Sequence, residues 1–280
     1  MVELRLILSS IVQTAKDDMT SGSSEMTSKM LQSLRSMLSS QRNMNRAEWQ
    51  EFAEALRNAR PGVASFYNVA NIINEISSDG GVVNWNEAIA QKIDHITQEE
   101  LESARAIADR FQKIQHGGTF LTMSYSGTIM AALLAQKVLG VDVLIYVAES
   151  LPYGEGRLTA KKLTQHGVQC KLITDSMVGA VVDEVDCCLV GADAIIPEGV
   201  VNKVGTRALA ASCMTAGKTM YVLASELKIA KMDRVELGKS SKGGEGYPEL
   251  TQTLEVTPMD LIDHIVTNTR DLPKSSLTWK

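Results

Sequence analysis

The sequence predicts an α/β protein, with an N-terminal helical domain over residues 1–116 and a C-terminal Rossmann-like, doubly wound parallel sheet over residues 117–280. Three observations carry this. Residues 1 to about 115 read as helical throughout, with apolar residues at helical spacing. From Gly117-Gly118 onward, short apolar runs alternate with helical stretches, the βαβ order of a parallel sheet with right-handed crossovers. Hydrophobic residues make up 44% of the 280, enough to bury a substantial core.

Leu4, Ile7, Leu8 and Ile11 mark the first helix. Thr20-Ser21-Gly22-Ser23-Ser24-Glu25 then offers hydroxyl caps to a helix over Met26–Ser39. A glycine before a helix start, here Gly22, also suits a phosphate. Trp49, Phe52, Ala53 and Leu56 share one face of a helix over Arg46–Asn58, which Arg60-Pro61 ends. Another helix spans Ser65–Ser77. Asn86–Gln115 reads as one or two helices broken near His95-Ile96-Thr97, where Thr97 and Glu100 have capping-box spacing. Strands follow at Thr119–Met123, Val143–Ala148, Cys170–Ile173, Cys187–Val190 and Met220–Ala224. Helices at Ser126–Leu139, Leu158–His166, near Met177–Ala180 and at Arg207–Ala216 separate them. Lys239–Gly246 reads as a flexible loop or lid.

The totals exclude several classes. A net charge of -5 argues against coating or directly binding nucleic acid, and 5% aromatics leaves little for base stacking. Four scattered cysteines, with no CxxC, argue against zinc and a disulfide framework and point to a reducing compartment. MVELRLILSS is too short and acidic for a signal peptide, and no apolar run approaches the ~20 residues of a membrane span. The expected location is the cytosol. No GxGxxG or GxxxxGK[ST] supports a dinucleotide or Walker loop, and no cofactor or metal is expected.

Loops at the carboxyl ends of parallel strands converge on ligands. Four such ends are rich in polar groups: Ser124-Tyr125-Ser126-Gly127-Thr128, Glu149 through Arg157, Thr174-Asp175-Ser176, and Gly191-Ala192-Asp193 through Thr206. The last offers a carboxylate, Asp193, beside Asn202, Lys203 and the amides opening a helix, a combination that suits a phosphate. Asp193 as a turn residue and Lys203 as a solvated one is the plainer alternative. Ser124 and Ser126 have no visible base partner, which argues against a Ser-His-Asp hydrolase. Cys187-Cys188, inside a strand, reads as core.

Several stretches resemble one family: the alpha, beta and delta subunits of initiation factor 2B together with two sugar-phosphate isomerases, acting on methylthioribose 1-phosphate and ribose 1,5-bisphosphate. They are Arg60-Pro61 with Ser65 and Asn68; Leu121-Thr122; Glu149-Ser150-Leu151-Pro152 through Arg157-Leu158-Thr159-Ala160; Thr174-Asp175-Ser176; Gly191-Ala192-Asp193; Asn202-Lys203-Val204-Gly205-Thr206; and Val256-Thr257-Pro258. The resemblance implies an aldose–ketose conversion by a Cys after a Thr-His pair and an Asp in the Gly-Ala-Asp turn. Asp193 holds the second position; Thr122-Met123-Ser124 puts Ser124 in the first, and a serine hydroxyl is far less acidic than a thiol of pKa ~8.5. Leu151 and Ser21 stand where the enzymes carry arginines. The leading expectation is therefore a translation-initiation-related regulatory protein that binds a phosphorylated sugar or nucleoside monophosphate with weakened or no isomerase chemistry. The alternative is a divergent sugar-phosphate isomerase. On either, Asp193 and Ser124 form the catalytic position, and Gly22, Arg60, Ser126, Glu149, Arg157, Asn202 and Lys203 hold substrate and phosphate. The resemblance further implies a homodimer through the C-terminal domain, and an initiation-factor partner.

Overall fold

A computed structural model describes residues 2–18, 21–39, 44–138, 140–232, 235–243 and 247–276. The chain opens on α1 (Val2–Asp17), α2 (Ser23–Ser39), α3 (Arg46–Arg57), α4 (Ala64–Ser78) and α5 (Trp85–Ile114). α3 starts on a capping box: the Glu48 amide donates to Asn45 Oδ1 at 3.0 Å, and the Asn45 amide to Glu48 Oε2 at 2.9 Å. Its apolar face, Trp49, Phe52, Ala53 and Leu56, is buried in a core shared with α1, α2, α4 and the first half of α5.

The expected break in α5 is corrected: the helix runs unbroken for 30 residues. Thr97 does not cap a new start. Its hydroxyl donates to the Ile93 carbonyl one turn back at 2.6 Å, the alternative open to a threonine inside a helix. Glu100 turns away to Ser225. A continuous stripe through Ile89, Ile93, Ile96, Ile107 and Phe111 keeps the helix against its neighbours.

Strands then alternate with helices: β1 (Gly118–Met123), α6 (Gly127–Val138), β2 (Val143–Ala148), α7 (Glu155–Gln165), β3 (Gln169–Ile173), α8 (Val178–Val181), β4 (Cys187–Val190), β5 (Ala194–Ile196), β6 (Gly199–Lys203), α9 (Thr206–Thr215), β7 (Thr219–Leu223), β8 (Ser240–Gly243), β9 (Pro248–Thr251), β10 (Leu254–Pro258), β11 (His264–Val266) and β12 (Asp271–Pro273). Among the described residues the main sheet has seven strands in the order β12-β11-β7-β4-β1-β2-β3. All its pairings are parallel except β11 with β12. Successive side chains of β1 serve opposite faces. Phe120 packs with α5, α6 and α7, whereas Leu121 and Met123 pack with α8 and α9. The sheet is therefore covered on both sides, as the doubly wound pattern predicts.

Two features depart from the expected layout. β5 and β6 form a hairpin around Pro197-Glu198, and β10 joins it as a third strand, so Asn202 and Lys203 sit on a strand rather than in an open loop. β8 and β9 pair as a second hairpin where the sequence suggests a loop; residues 244–246, the end of that stretch, lie outside the described residues. The cysteine reading is corrected at one bond. Cys188 of β4 and Cys213 of α9 form a disulfide buried between sheet and helix. Their separation of 25 residues carries no pairing signal; the packing of α9 on β4 makes the pair. Cys187 is core, and burial pushes its thiol up to about 12.

α7 starts in direct contact with the end of β2. A Cβ on Gly156 would lie 1.9 Å from the Ala148 carbonyl oxygen, a backbone atom that cannot yield alone. Gly156→Ala is expected to cost about 1–3 kcal/mol, as overpacking does, read as a lowered urea midpoint.

Candidate functional site

In the main sheet, chain order reverses between β1 and β4, so the carboxyl ends of these strands flank the switch-point crevice where doubly wound sheets hold ligands. Two serines at the strand ends adopt left-handed backbone angles, Ser124 after β1 at φ 59° and Ser150 after β2 at φ 65°. Such angles are costly for residues with a Cβ and persist only where neighbours enforce them. Here the Ser124 amide donates to Ser150 Oγ at 2.6 Å, and Thr159 Oγ1 donates to the Ser124 carbonyl at 2.5 Å. The amides of Ser150 and Leu151 both donate to the Asp175 carboxylate, at 2.7 and 2.8 Å. Asp175 thus shapes the β2 loop. Ser126 opens α6: its hydroxyl accepts from the Ile129 amide at 3.4 Å. Gly191 faces it so closely that a Cβ there would lie 2.7 Å from Ser126 Oγ.

Asp193 follows β4 and is partly buried. Its amide donates to the Val201 carbonyl at 2.8 Å, and its carbonyl accepts from the Ala64 amide at 3.0 Å, so the hairpin and α4 both hold it. Burial pushes its carboxyl above the usual carboxylate range, against the pull of the Lys228 ammonium, the Ser23 hydroxyl and the Lys203 ammonium.

Lys228 lies deeper, only 3% exposed. Its ammonium donates to Ser23 Oγ at 3.0 Å, Ser24 Oγ at 2.9 Å and the Ala192 carbonyl at 2.8 Å. Burial draws it below the usual lysine range, against the opposing carboxyls of Asp193 and Glu100. Glu100 is itself pushed up by burial and accepts from Ser225 Oγ at 3.1 Å. The first turn of α2, from Gly22 to Ser24, therefore meets a buried lysine at the edge of the crevice. A helix N-terminus and an ammonium together form an anion receptor.

Lys228 is not among the residues that the sequence singles out. It stands in Ser225-Glu226-Leu227-Lys228, the fifth strand end, after β7. The rule that selects the other four applies equally there. The turn is clamped from two sides, by α4 and by residues 267–270. Asn68 of α4 donates to the carbonyls of Leu227 and Ile229 at 2.8 and 2.9 Å, and the Glu226 amide donates to Asn268 Oδ1 at 2.9 Å. The Glu226 carboxylate accepts from Thr267, Thr269 and Arg270. Burial alone would raise its pKa, yet these hydrogen bonds hold it below the usual value. The clamp's contribution is thus present above the unfolded pKa of about 4.3 and lost as pH falls through the lower folded pKa. Glu226→Gln should lower Tm at pH 7, and the gap from wild type should close as the pH is taken below about 4.

The remaining candidate residues fall in three places. Lys203 is buried, its ammonium 2.7 Å from Glu155 Oε1 and 4.8 Å from the centre of the Tyr153 ring. Asn202 Nδ2 donates to Thr206 Oγ1 at 3.0 Å, and Arg157 reaches Glu149 Oε2 at 2.5 Å. The amides opening α9 are not free: those of Gly205 and Arg207 both donate to Glu255 Oε1, at 2.7 and 2.8 Å. A carboxylate of the chain fills that helix N-terminus. Arg60 turns to the end of α1, donating to the Ala15 carbonyl at 2.6 Å and to that of Asp18. Asp193, Ser124, Ser126, Lys203, Asn202, Arg157 and Glu149 gather around the strand ends; Gly22 enters from α2; Arg60 lies beside the segment leading to it. Among the described residues no group of three His, Cys, Asp or Glu could hold a metal, and no helix is long and apolar enough to cross a membrane.

Helices leading into a two-sided, mostly parallel sheet define the class of fold. It is shared with the translation initiation factor eIF-2B of Pyrococcus horikoshii OT3, whose crystal structure aligns at a TM-score of 0.82 and 23% identity over 96% of this chain and 98% of that one. The model of the initiation factor 2 subunit family matches residues 19–270, and the chain belongs to that family. It is similar to a ribose 1,5-bisphosphate isomerase of Archaeoglobus fulgidus, 28% identical over 79% of this chain and 75% of the relative. It is also similar to a translation initiation factor eIF-2B subunit 2-like protein of Pyrococcus furiosus, 29% identical over 78% of each.

Proposed function

We propose that this chain binds a phosphorylated sugar in the crevice, with a phosphate at Lys228 and the α2 N-terminus, and catalyses its aldose–ketose isomerisation. The observation that carries the reading is Asp193, a carboxyl at the strand ends whose pKa burial raises against the pull of two buried lysines. A carboxyl that can give up a proton beside an anion receptor is what a sugar 1-phosphate needs. Its anomeric carbon bears the phosphate oxygen, so the ring opens only when the ring oxygen takes a proton. Asp193 supplies that proton. A hydride then moves from C2 to C1, the 2-hydroxyl proton passes to the Asp193 carboxylate, and the product is the 2-ketose 1-phosphate. Ser124 borders the same crevice as a neutral hydrogen-bonding group. The similarity to isomerases supports this reading.

One observation favours a second reading. Ser124 replaces the thiol that the resemblance calls for, which suits a non-catalytic sensor related to translation initiation. The experiment incubates the protein with ribose 1,5-bisphosphate, methylthioribose 1-phosphate and nucleoside monophosphates, following thermal shift and product together. A ligand at 100 times its Kd adds about 2.7 kcal/mol of stability. A shift with ketose formation supports the isomerase, and a shift without turnover supports the sensor. No shift with any of them removes both.

A further inference from the structure

We propose that Cys188 and Cys213 are a reversible redox pair whose thiol–disulfide state sets how firmly the segment between them is held in the fold. The two cysteines bracket one functional stretch. Cys188 lies on β4, before Gly191-Ala192-Asp193, and Cys213 lies on α9, after the β5–β6 hairpin. Their bond closes a loop over a sequence separation of 25, and the whole strand end from Gly191 to Thr206 lies inside it. With the bond open, α9 is held to β4 by packing alone, through Leu209, Ala210 and the apolar side chains beneath them.

Two features suit the pair to repeated opening and closing. The first is that the sheet fixes the choice of partner. Successive residues of β4 face opposite ways. Cys188 and Cys213 share the core beneath α9, whereas Cys187 and Cys170 pack in the core on the other side of the sheet. Burial also pushes the Cys187 thiol up to about 12, which leaves almost no thiolate to attack the neighbouring bond. Reoxidation therefore restores the same bond. The second is that α9 is an outer layer, with Arg207, Ala208, Met214 and Thr215 exposed. Both sulfurs are buried, but lifting α9 from β4 uncovers them without global unfolding. The oxidant is a low-molecular-weight disulfide. One cysteine thiolate attacks it, forms a mixed disulfide and releases one small thiolate. The other cysteine thiolate then attacks the mixed disulfide, forms the Cys188–Cys213 bond and releases the second. Two protein thiols are oxidised, one small disulfide is reduced to two thiols, and the two protons pass from the former to the latter.

The test equilibrates the full chain with oxidised glutathione or with dithiothreitol. One portion is unfolded, alkylated and weighed; the native remainder goes to thermal melting and hydrogen exchange. Of the four cysteines, two are expected to be alkylated in the oxidised sample and all four in the reduced one. Reduction is expected to lower Tm by about 5–10 °C, the worth of a cross-link closing a loop of this length. Amides between residues 191 and 213 should exchange about tenfold faster in the reduced protein, while those of β1 and β2 stay unchanged. Returning the reduced protein to oxidised glutathione should restore both readings. Cys213→Ser should match the reduced wild type under either condition. Four alkylated cysteines after oxidised glutathione overturn the proposal. So do equal Tm and exchange in the two states, or a reduced protein that does not regain the bond. If the variant does not fold, the wild-type comparison decides alone.

Discussion

Asp193→Asn lowers kcat on the sugar phosphate by about 10²- to 10⁴-fold, the usual contribution of a positioned acid or base. The amide keeps the shape and the hydrogen-bonding capacity of the side chain but has no proton to give. Ligand binding, read by thermal shift, should persist, because the phosphate is held elsewhere. The pH profile gives a second check. The active form is the neutral acid, so wild-type kcat falls as pH rises through the Asp193 pKa, which burial places above the ordinary value of about 3.9. That limb should vanish in the variant. Undiminished turnover by the Asp193→Asn protein would remove Asp193 from the chemistry, and with it the observation on which the isomerase reading stands.

Lys228→Met should weaken binding of inorganic phosphate and of sugar phosphates by about 10- to 100-fold, the worth of hydrogen bonds to a charged group. Its effect on stability runs the other way. A methionine fills the space of the lysine stem, while the cost of keeping a cation in the interior disappears. Because burial lowers the Lys228 pKa in the folded state, that cost is present below the folded pKa and is relieved as pH rises through it. Wild-type stability should therefore gain with alkaline pH in a way the variant does not. Unchanged phosphate affinity in a folded Lys228→Met protein would place the anion away from α2.

Much of this architecture is legible in the sequence because the core-forming signals are local. The strands around Leu121, Ile145 and Leu189 are short apolar runs, and Trp49, Phe52, Ala53 and Leu56 share a face by helical spacing alone. What escapes depends on partners far along the chain. β5 and β6 are strands of three and five residues, stabilised by β10 some fifty residues later. Thr97 and Glu100 have capping-box spacing, and only the tertiary partners of Glu100 show why the helix continues. At the site, Asp193 and Lys203 can be singled out by type and position. The charges that act on them, Lys228 on Asp193 and Glu155 on Lys203, cannot, because which groups come near each other is a property of packing. The amides of α9 look free until Glu255 is seen against them.

The unbroken α5 has a consequence for how the crevice works. Its first half, with Ile89, Ile93 and Ile96, is rooted in the helical core, and its second half, with Ile107, Ala108 and Phe111, in the core beneath the sheet. A rod of 30 residues, about 45 Å long, leaves no hinge along its length between the two layers. The anion receptor needs one part from each layer, Ser23 and Ser24 from the helices and Lys228 from the sheet loops. Their spacing is therefore set when the chain folds, and the ordering that recognition would otherwise demand is completed before any ligand arrives.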